Sequence, residues 1–187
     1  MKSNNFELVN PYIEGNFKRV FSGNESIKAA KNCYTSISEY IRNPLPKFYF
    51  SLKNIKTGKY NHFMVKEKIK KKNIANFNIE EISINHTKDE ITKFEDKLDK
   101  FKQKGGRRRK ELDMDLDEDL EDSDLDSDSS DYYNKYSRKY SYPYRTDQPI
   151  LYYWYDPLLY KVNRFYFPHF VLPLSPLVEV NLSSAFF

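Results

Sequence analysis

Cysteine is nearly absent from this chain. Its single thiol, Cys33, excludes an internal disulfide framework and a cysteine-based zinc site, and it suits a reducing compartment. Glycine is almost as scarce, with five residues in 187, and none of them builds a glycine-rich phosphate loop. The three histidines, His62, His86 and His169, are scattered, near no nucleophile motif and at no metal-ligand spacing. Nor is there a long apolar run. The most apolar stretch, residues 165–178, is cut by Pro168, Pro173 and Pro176, short of the ~20 continuous residues a spanning helix needs. The opening MKSNNFELVNPYIEG has no apolar signal-peptide core. These absences point to a protein that is neither secreted nor membrane-spanning, and to no enzyme, cofactor or small-molecule substrate. The sequons at Asn24, Asn85 and Asn181 are then chance products of an Asn-rich composition.

What is abundant is charge, and it is segregated. Residues 111–131 hold 12 of the 27 acidic residues and none of the 31 basic ones, so the rest of the chain has 15 acidic against 31 basic. The net charge of +4 conceals this polyampholyte. A tract so dense in like charges buries too little apolar surface to offset the entropy of ordering it, and reads as a solvated linker. Within it Asp113, Asp115, Asp117, Asp119, Glu121 and Asp124 imitate a calcium loop. Glu118 stands where glycine is needed and Asp124 where a bidentate Glu is needed, so no metal site is expected. Ser123, Ser127, Ser129 and Ser130 are candidate phosphorylation sites in acid-rich surroundings.

Periodicity organises the remainder. FKRVF (17–21) reads as a short strand. Ile27, Ala30, Tyr34, Ile37 and Ile41 step along one helical face, widened by Cys33 as a buried thiol and by Tyr40, and Asn43–Pro44 ends that helix. KFYFSL (47–52) and YNHFMV (60–65) read as a hairpin. In residues 76–84 the apolar phase slips at Glu80 and Glu81, which predicts a bulge or strand break. Thr87 and Glu90 form a capping-box signature, and Ile91, Phe94, Leu98 and Phe101 follow with heptad-like spacing in a second helix expected to stop at Gly105. The resulting organisation is an N-terminal extension (1–11), an α+β domain (12–104) with one helix packed on a small antiparallel sheet, a disordered basic, acidic and Tyr-rich linker (105–149), and a β-rich aromatic C-terminal segment (150–187).

That last segment is too apolar to be left in water. Tyr152, Tyr153, Trp154, Tyr155, Phe165, Tyr166, Phe167 and Phe170 are its candidate docking residues, either onto its own domain or onto a protein partner, by β-augmentation or otherwise. The basic clusters offer a second kind of partner. Lys70, Lys71, Lys72, Arg107, Arg108, Arg109 and Lys110 are the candidate nucleic-acid contacts, although a lysine-rich composition makes solvated loops their ordinary explanation.

SIKAAKNCYTSISEYIRNPLPKFYFSL and YYWYDPLLYKVNRFYFPHFVLPLSPLVEVNLSSAFF resemble the two ends of a conserved, uncharacterised protein of nucleocytoplasmic large DNA viruses. The resemblance covers residues 17–66 and 150–187. It implies a viral protein made in host cytoplasm and carried in or on the virion, and it brings no catalytic residue with it. A non-enzymatic structural or assembly-interaction protein is the expected function, with a nucleic-acid-binding accessory protein as the alternative.

Overall fold

The computed structural model describes residues 4–71, 74–112, 136–139 and 148–182. The acidic tract from residue 113, with its calcium-like spacing and its serines, lies outside the described residues, as do Lys72 and the last five residues. The fold is α+β. Strands β1 (Asn4–Asn10), β2 (Tyr12–Glu14) and β3 (Val20–Gly23) precede helix α1 (Ser26–Ser38). Then come β4 (Phe48–Asn54), β5 (Tyr60–Lys71), β6 (Ile74–Ile82), helix α2 (Lys88–Leu112), β7 (Tyr136–Lys139), β8 (Tyr152–Tyr155), a single 3-10 turn (Pro157–Tyr160) and β9 (Leu177–Val180). Six strands form an antiparallel sheet in the order β3-β1-β4-β5-β6-β7, and three form a smaller sheet, β2-β8-β9. The pair β8–β9 is parallel.

Two-residue alternation sorts the large sheet into two faces. Phe48, Phe50 and Leu52 of β4, with Phe63 and Val65 of β5, are buried toward α1. The helix meets them with Ala29, Ala30, Cys33, Tyr34 and Ile37, all essentially inaccessible. Tyr34 is the centre of that layer: its ring lies 5.0 Å from Phe77, 5.9 Å from Phe48 and 6.3 Å from Phe50. Its hydroxyl donates to Glu67 Oε1 at 2.7 Å, and the amide of Leu45 donates to Glu67 Oε2 at 2.7 Å, so this buried carboxylate is satisfied on both oxygens. The opposite face carries Tyr49, Ser51, Lys53 and His62, and α2 and the C-terminal segment cover it.

The C-terminal segment docks on its own chain. β8 lies antiparallel to β2, pairing Tyr12 with Trp154 and Ile13 with Tyr153. Trp154 is fully buried and stacks on Phe101 at 4.7 Å and Phe94 at 5.8 Å, so the heptad-like face of α2 is spent on it. Such a ring contact adds about 0.5–1.5 kcal/mol beyond the area it buries. Farther along, Phe170 bridges to Ile41, and the Asn43 side chain receives the His169 amide at 2.7 Å and donates to the Phe167 carbonyl at 3.0 Å. Asn43 thus anchors the returning chain as well as following the helix.

Several expectations change. Residues 4–10 are not an extension but a strand between β3 and β4, burying Phe6, Leu8, Val9 and Asn10. Helix α1 ends at Ser38, before Ile41, which is buried through its bridge to Phe170 instead. Helix α2 continues through Gly105 to Leu112, because Arg and Lys after the glycines are good helix formers and nothing forces a stop. Residues Tyr136–Lys139, read as linker, form β7 on β6. No bulge occurs at Glu80 and Glu81: the β5–β6 register runs unbroken from His62↔Ile82 to Ile69↔Ala75. The phase slips because Glu81, on the same side of β6 as Phe77 and Ile79, is exposed where that side runs out, and accepts from Ser26 Oγ and Asn61 Nδ2, each at 2.7 Å.

Candidate functional site

A seam of buried polar groups joins the large sheet, the C-terminal segment and the start of α2. At one end the Asn10 side chain imitates a strand partner for Asp156. Its Nδ2 donates to the Asp156 carbonyl at 2.8 Å and its Oδ1 accepts the Asp156 amide at 3.0 Å. Asp156 also caps the 3-10 turn, accepting from the Leu158 amide, while its other carboxylate oxygen takes Asn181 Nδ2 at 2.9 Å and lies 3.5 Å from Lys97 Nζ.

From Asn10 the seam runs inward. Tyr160 donates its hydroxyl hydrogen to the Asn10 carbonyl at 3.2 Å, Ser51 Oγ lies 3.0 Å from the Tyr160 oxygen, and His62 Nδ1 lies 2.8 Å from Ser51 Oγ. The His62 ring then meets His86, with centroids 5.0 Å apart at 66°. Beyond it Glu90 Oε2 is 3.7 Å from His86 Nδ1, and Lys161 Nζ reaches Glu90 Oε1 at 2.9 Å and the Asn85 carbonyl at 3.2 Å. Lys161 adopts a left-handed backbone (φ 52°) at the end of the 3-10 turn, a conformation that costs a non-glycine residue about 1–2 kcal/mol and that turns the chain toward β9. The capping box is formed as the sequence implies: Thr87 N donates to Glu90 Oε2 at 2.8 Å and Glu90 N to Thr87 Oγ1 at 3.2 Å.

Burial sets the electrostatics. Desolvation, helped by the neighbouring His86 and opposed by Glu81, pushes His62 down to about 4. Desolvation also lowers His86, against the pull of Glu90. Glu90 is held down at about 2, first by the Thr87 backbone amide and then by Lys161. Burial raises Tyr160 and Cys33 well above their usual values. Both histidines are therefore neutral at neutral pH. Ser51 touches an imidazole as a nucleophile would, but it is wholly inaccessible and Tyr160 takes its proton, so the contact acts here as a structural hydrogen bond. Among the described residues no group of three or more His, Cys, Asp or Glu side chains lies together as a metal site.

The candidate docking residues divide. Tyr152, Tyr153, Trp154 and Tyr155 are buried in the chain's own core and cannot be offered to a partner in this fold, because β2, α2 and β4 already cover them. Phe165 and Phe170 are half-buried, whereas Tyr166 and Phe167 are exposed. Exposed apolar side chains concentrate nearby: of the ten large exposed hydrophobics among the described residues, seven are Leu151, Tyr166, Phe167, Leu172, Leu177, Val178 and Leu182. Of the candidate nucleic-acid contacts, Lys70 is exposed on β5, Lys71 ends that strand, and Arg107 to Lys110 fall on α2. No described helix is long and apolar enough to cross a membrane.

The seam itself was not legible beforehand. Asn10 and Asp156 are 146 residues apart, and His62 and His86 are brought together only because β6 returns the chain alongside β5. No local spacing signals either.

No protein-family model matches the chain, and no solved structure does. It is similar to uncharacterized protein L492 of Acanthamoeba polyphaga mimivirus, 33% identical over 105 residues that cover 56% of this chain and 59% of that protein. The chain therefore spans about six-tenths of the length of the curated relative it matches. The likeness to a protein of a nucleocytoplasmic large DNA virus, first read from the two ends of the sequence, is shown by this relative.

Proposed function

We propose that this chain is a non-enzymatic structural or assembly-interaction protein of a large DNA virus, associated with the virion or its assembly in host cytoplasm. The reading rests on one observation. Seven of ten exposed large hydrophobics fall on residues 151–182, around β9, the outermost strand of the small sheet. An exposed apolar edge is where an extended segment of another protein adds by backbone pairing, with Leu177 and Val178 supplying side-chain contact. The partner class is a viral structural protein. The surface used is thus the outer edge of the C-terminal segment, not the tyrosines and tryptophan that hold the segment down.

The test is particle association of the intact chain compared with a Val178→Lys, Leu177→Glu double variant. Both sites are exposed, so the melting temperature should hold while association is lost. Association of the wild type should persist or strengthen in high salt. An equally associated double variant would refute the edge-docking reading.

The alternative is a nucleic-acid-binding accessory protein. It is favoured by the continuation of α2 to Leu112, which carries the RRRK cluster on a helix rather than a loop. Phosphate contacts weaken steeply with rising salt, so elution from particles at moderate salt together with salt-sensitive DNA or RNA binding would support it.

A further inference from the structure

β9 ends the small sheet, and among the described residues no strand pairs with its outer side. Which groups point there follows from the parallel ladder. The Leu177 amide donates to the Leu151 carbonyl at 3.0 Å and the Asn181 amide to the Tyr155 carbonyl at 2.9 Å, so Leu177, Glu179 and Asn181 spend their backbone on β8. Val178 and Val180 therefore turn N–H and C=O to the open edge, and Leu182 is next in that alternation. These three positions share one face and all are apolar, with Val178 43% and Leu182 44% exposed. On the other face Glu179 accepts the Tyr152 hydroxyl at 3.0 Å and Asn181 Nδ2 donates to Asp156 at 2.9 Å. An apolar edge with unspent backbone groups is a template for another strand.

We propose that this edge pairs with the same edge of a second copy of the chain, antiparallel about a two-fold axis at Val180, joining two β2-β8-β9 sheets into one. The inference rests on the edge-docking reading for the surface used and names its occupant, which by that reading is itself a viral structural protein. The residues dictate the register. Only positions that turn the same backbone side outward can oppose each other, so the choices differ by steps of two. With Val180 opposite the partner's Val180, Val178 faces the partner's Leu182 and Glu179 faces the partner's Asn181. The apolar face then meets itself along its length. Shifted one way, the two Glu179 carboxylates stand directly opposite each other, which is destabilising, and a further step sets Pro176, with no N–H, where a donor is needed. Shifted the other way, Val178 passes beyond Leu182 and the apolar overlap shrinks. The strand is thus complementary to itself, as a two-fold contact requires, and pairing consumes the β9 edge of both copies so that the contact does not propagate. One strand pair buries less than the ~1,200–2,000 Å² of a standard interface, so the dimer is weak and concentration-dependent.

The test uses the full chain alone, without particles. Sedimentation equilibrium over about a hundredfold range of concentration should show a monomer to dimer transition. Val178→Pro removes one outward N–H and no bond to β8, so it should weaken the dimer at least about tenfold with the circular dichroism spectrum unchanged. Ile55→Lys, at an exposed position in the turn between β4 and β5, should change nothing. Cross-linking reads the register independently. Cys33 is the chain's one cysteine and is wholly buried, so an introduced thiol reacts alone. Under mild oxidation Val178→Cys and Leu182→Cys chains should join when mixed, with Cα atoms about 5.5 Å apart, and each should join to itself at least about tenfold more slowly. A chain monomeric throughout, a dimer left as tight by Val178→Pro, or Val178→Cys joining to itself as fast as to Leu182→Cys would each overturn self-pairing. A monomeric chain whose particle association is still lost in the Leu177→Glu, Val178→Lys variant would sink self-pairing and leave edge docking standing. A dimer broken by Val178→Pro with undiminished particle association would uphold self-pairing and sink edge docking instead.

Discussion

Replacing Asn10 with alanine tests whether the C-terminal segment is integral to the fold. The Asn10 side chain is wholly buried and spends both ends of its amide on the backbone of Asp156, itself 3% exposed. Truncation leaves the Asp156 N–H and C=O stranded away from water, at about 1–3 kcal/mol each. A loss of about 2–6 kcal/mol follows, a large share of the ~5–15 kcal/mol that holds a domain of this size. Asn10→Asp should do worse: it keeps the acceptor for the Asp156 amide but sets a carboxylate oxygen against the Asp156 carbonyl. Urea unfolding with matched slopes gives the free energies, and amide exchange at Asp156 and Leu158 localises the effect. A loss below about 0.5 kcal/mol, or exchange at Asp156 as slow as in the wild type, would mean that this clamp does not tie residues 148–182 to the large sheet.

Gly15 has φ +129° and a Cβ there would sit 2.2 Å from the Pro149 carbonyl oxygen, so Gly15→Ala should unseat the chain leading into β8, read as faster proteolysis between residues 148 and 160. Ile37, 1% exposed on the α1 face, should not tolerate Asp: the buried charge costs several kcal/mol, and an unchanged melting temperature would exclude that face from the core. Stability should fall on acidification, because His62 drops from 6.5 unfolded to about 4 folded. The unfolded chain then binds the extra proton between those values, so stability is complete above pH 6.5 and declines toward pH 4, by at most about 1.4 kcal/mol per pH unit from this group. A His62→Gln variant should flatten that window, and an equal decline in the variant would move the cause elsewhere.

How much was legible depended on whether the signal was local. The hairpin of β4 and β5 was, because aromatic and β-branched residues alternate across a polar turn. So was the face of α2 through Phe94 and Leu98, and its capping box. The strand over Asn4–Asn10 was not, since Phe6 and Leu8 alternate too briefly and Val9 and Asn10 are buried as well, breaking the two-residue pattern. Glu81 misled for a related reason: an exposed carboxylate following Phe77 and Ile79 on their side of the strand looks like a phase error until the unbroken register is seen and Ser26 and Asn61 are found to bind it. The docking of YYWY was expected, but its site could not be read, because β2 is three residues long and its partner lies some 140 positions away. The histidine pair is invisible to spacing for the same reason.

The stacking of Tyr49 on Tyr160 has a consequence for synthesis. At roughly 5–20 residues per second, Tyr160 leaves the ribosome about 5–20 s after Tyr49. Through that interval α1 can already shield one side of the β4–β5 hairpin and α2 can reach the Lys53 and Tyr60 end of the other, while Tyr49 and Ser51 still wait for Tyr160 to cover them. Nascent molecules therefore pass through a stage, long on the scale of microsecond hairpin formation, in which an aromatic surface is open to other chains on the same polysome. Protection of that surface by a chaperone, rather than the speed of local folding, would then set the yield of native protein at high expression.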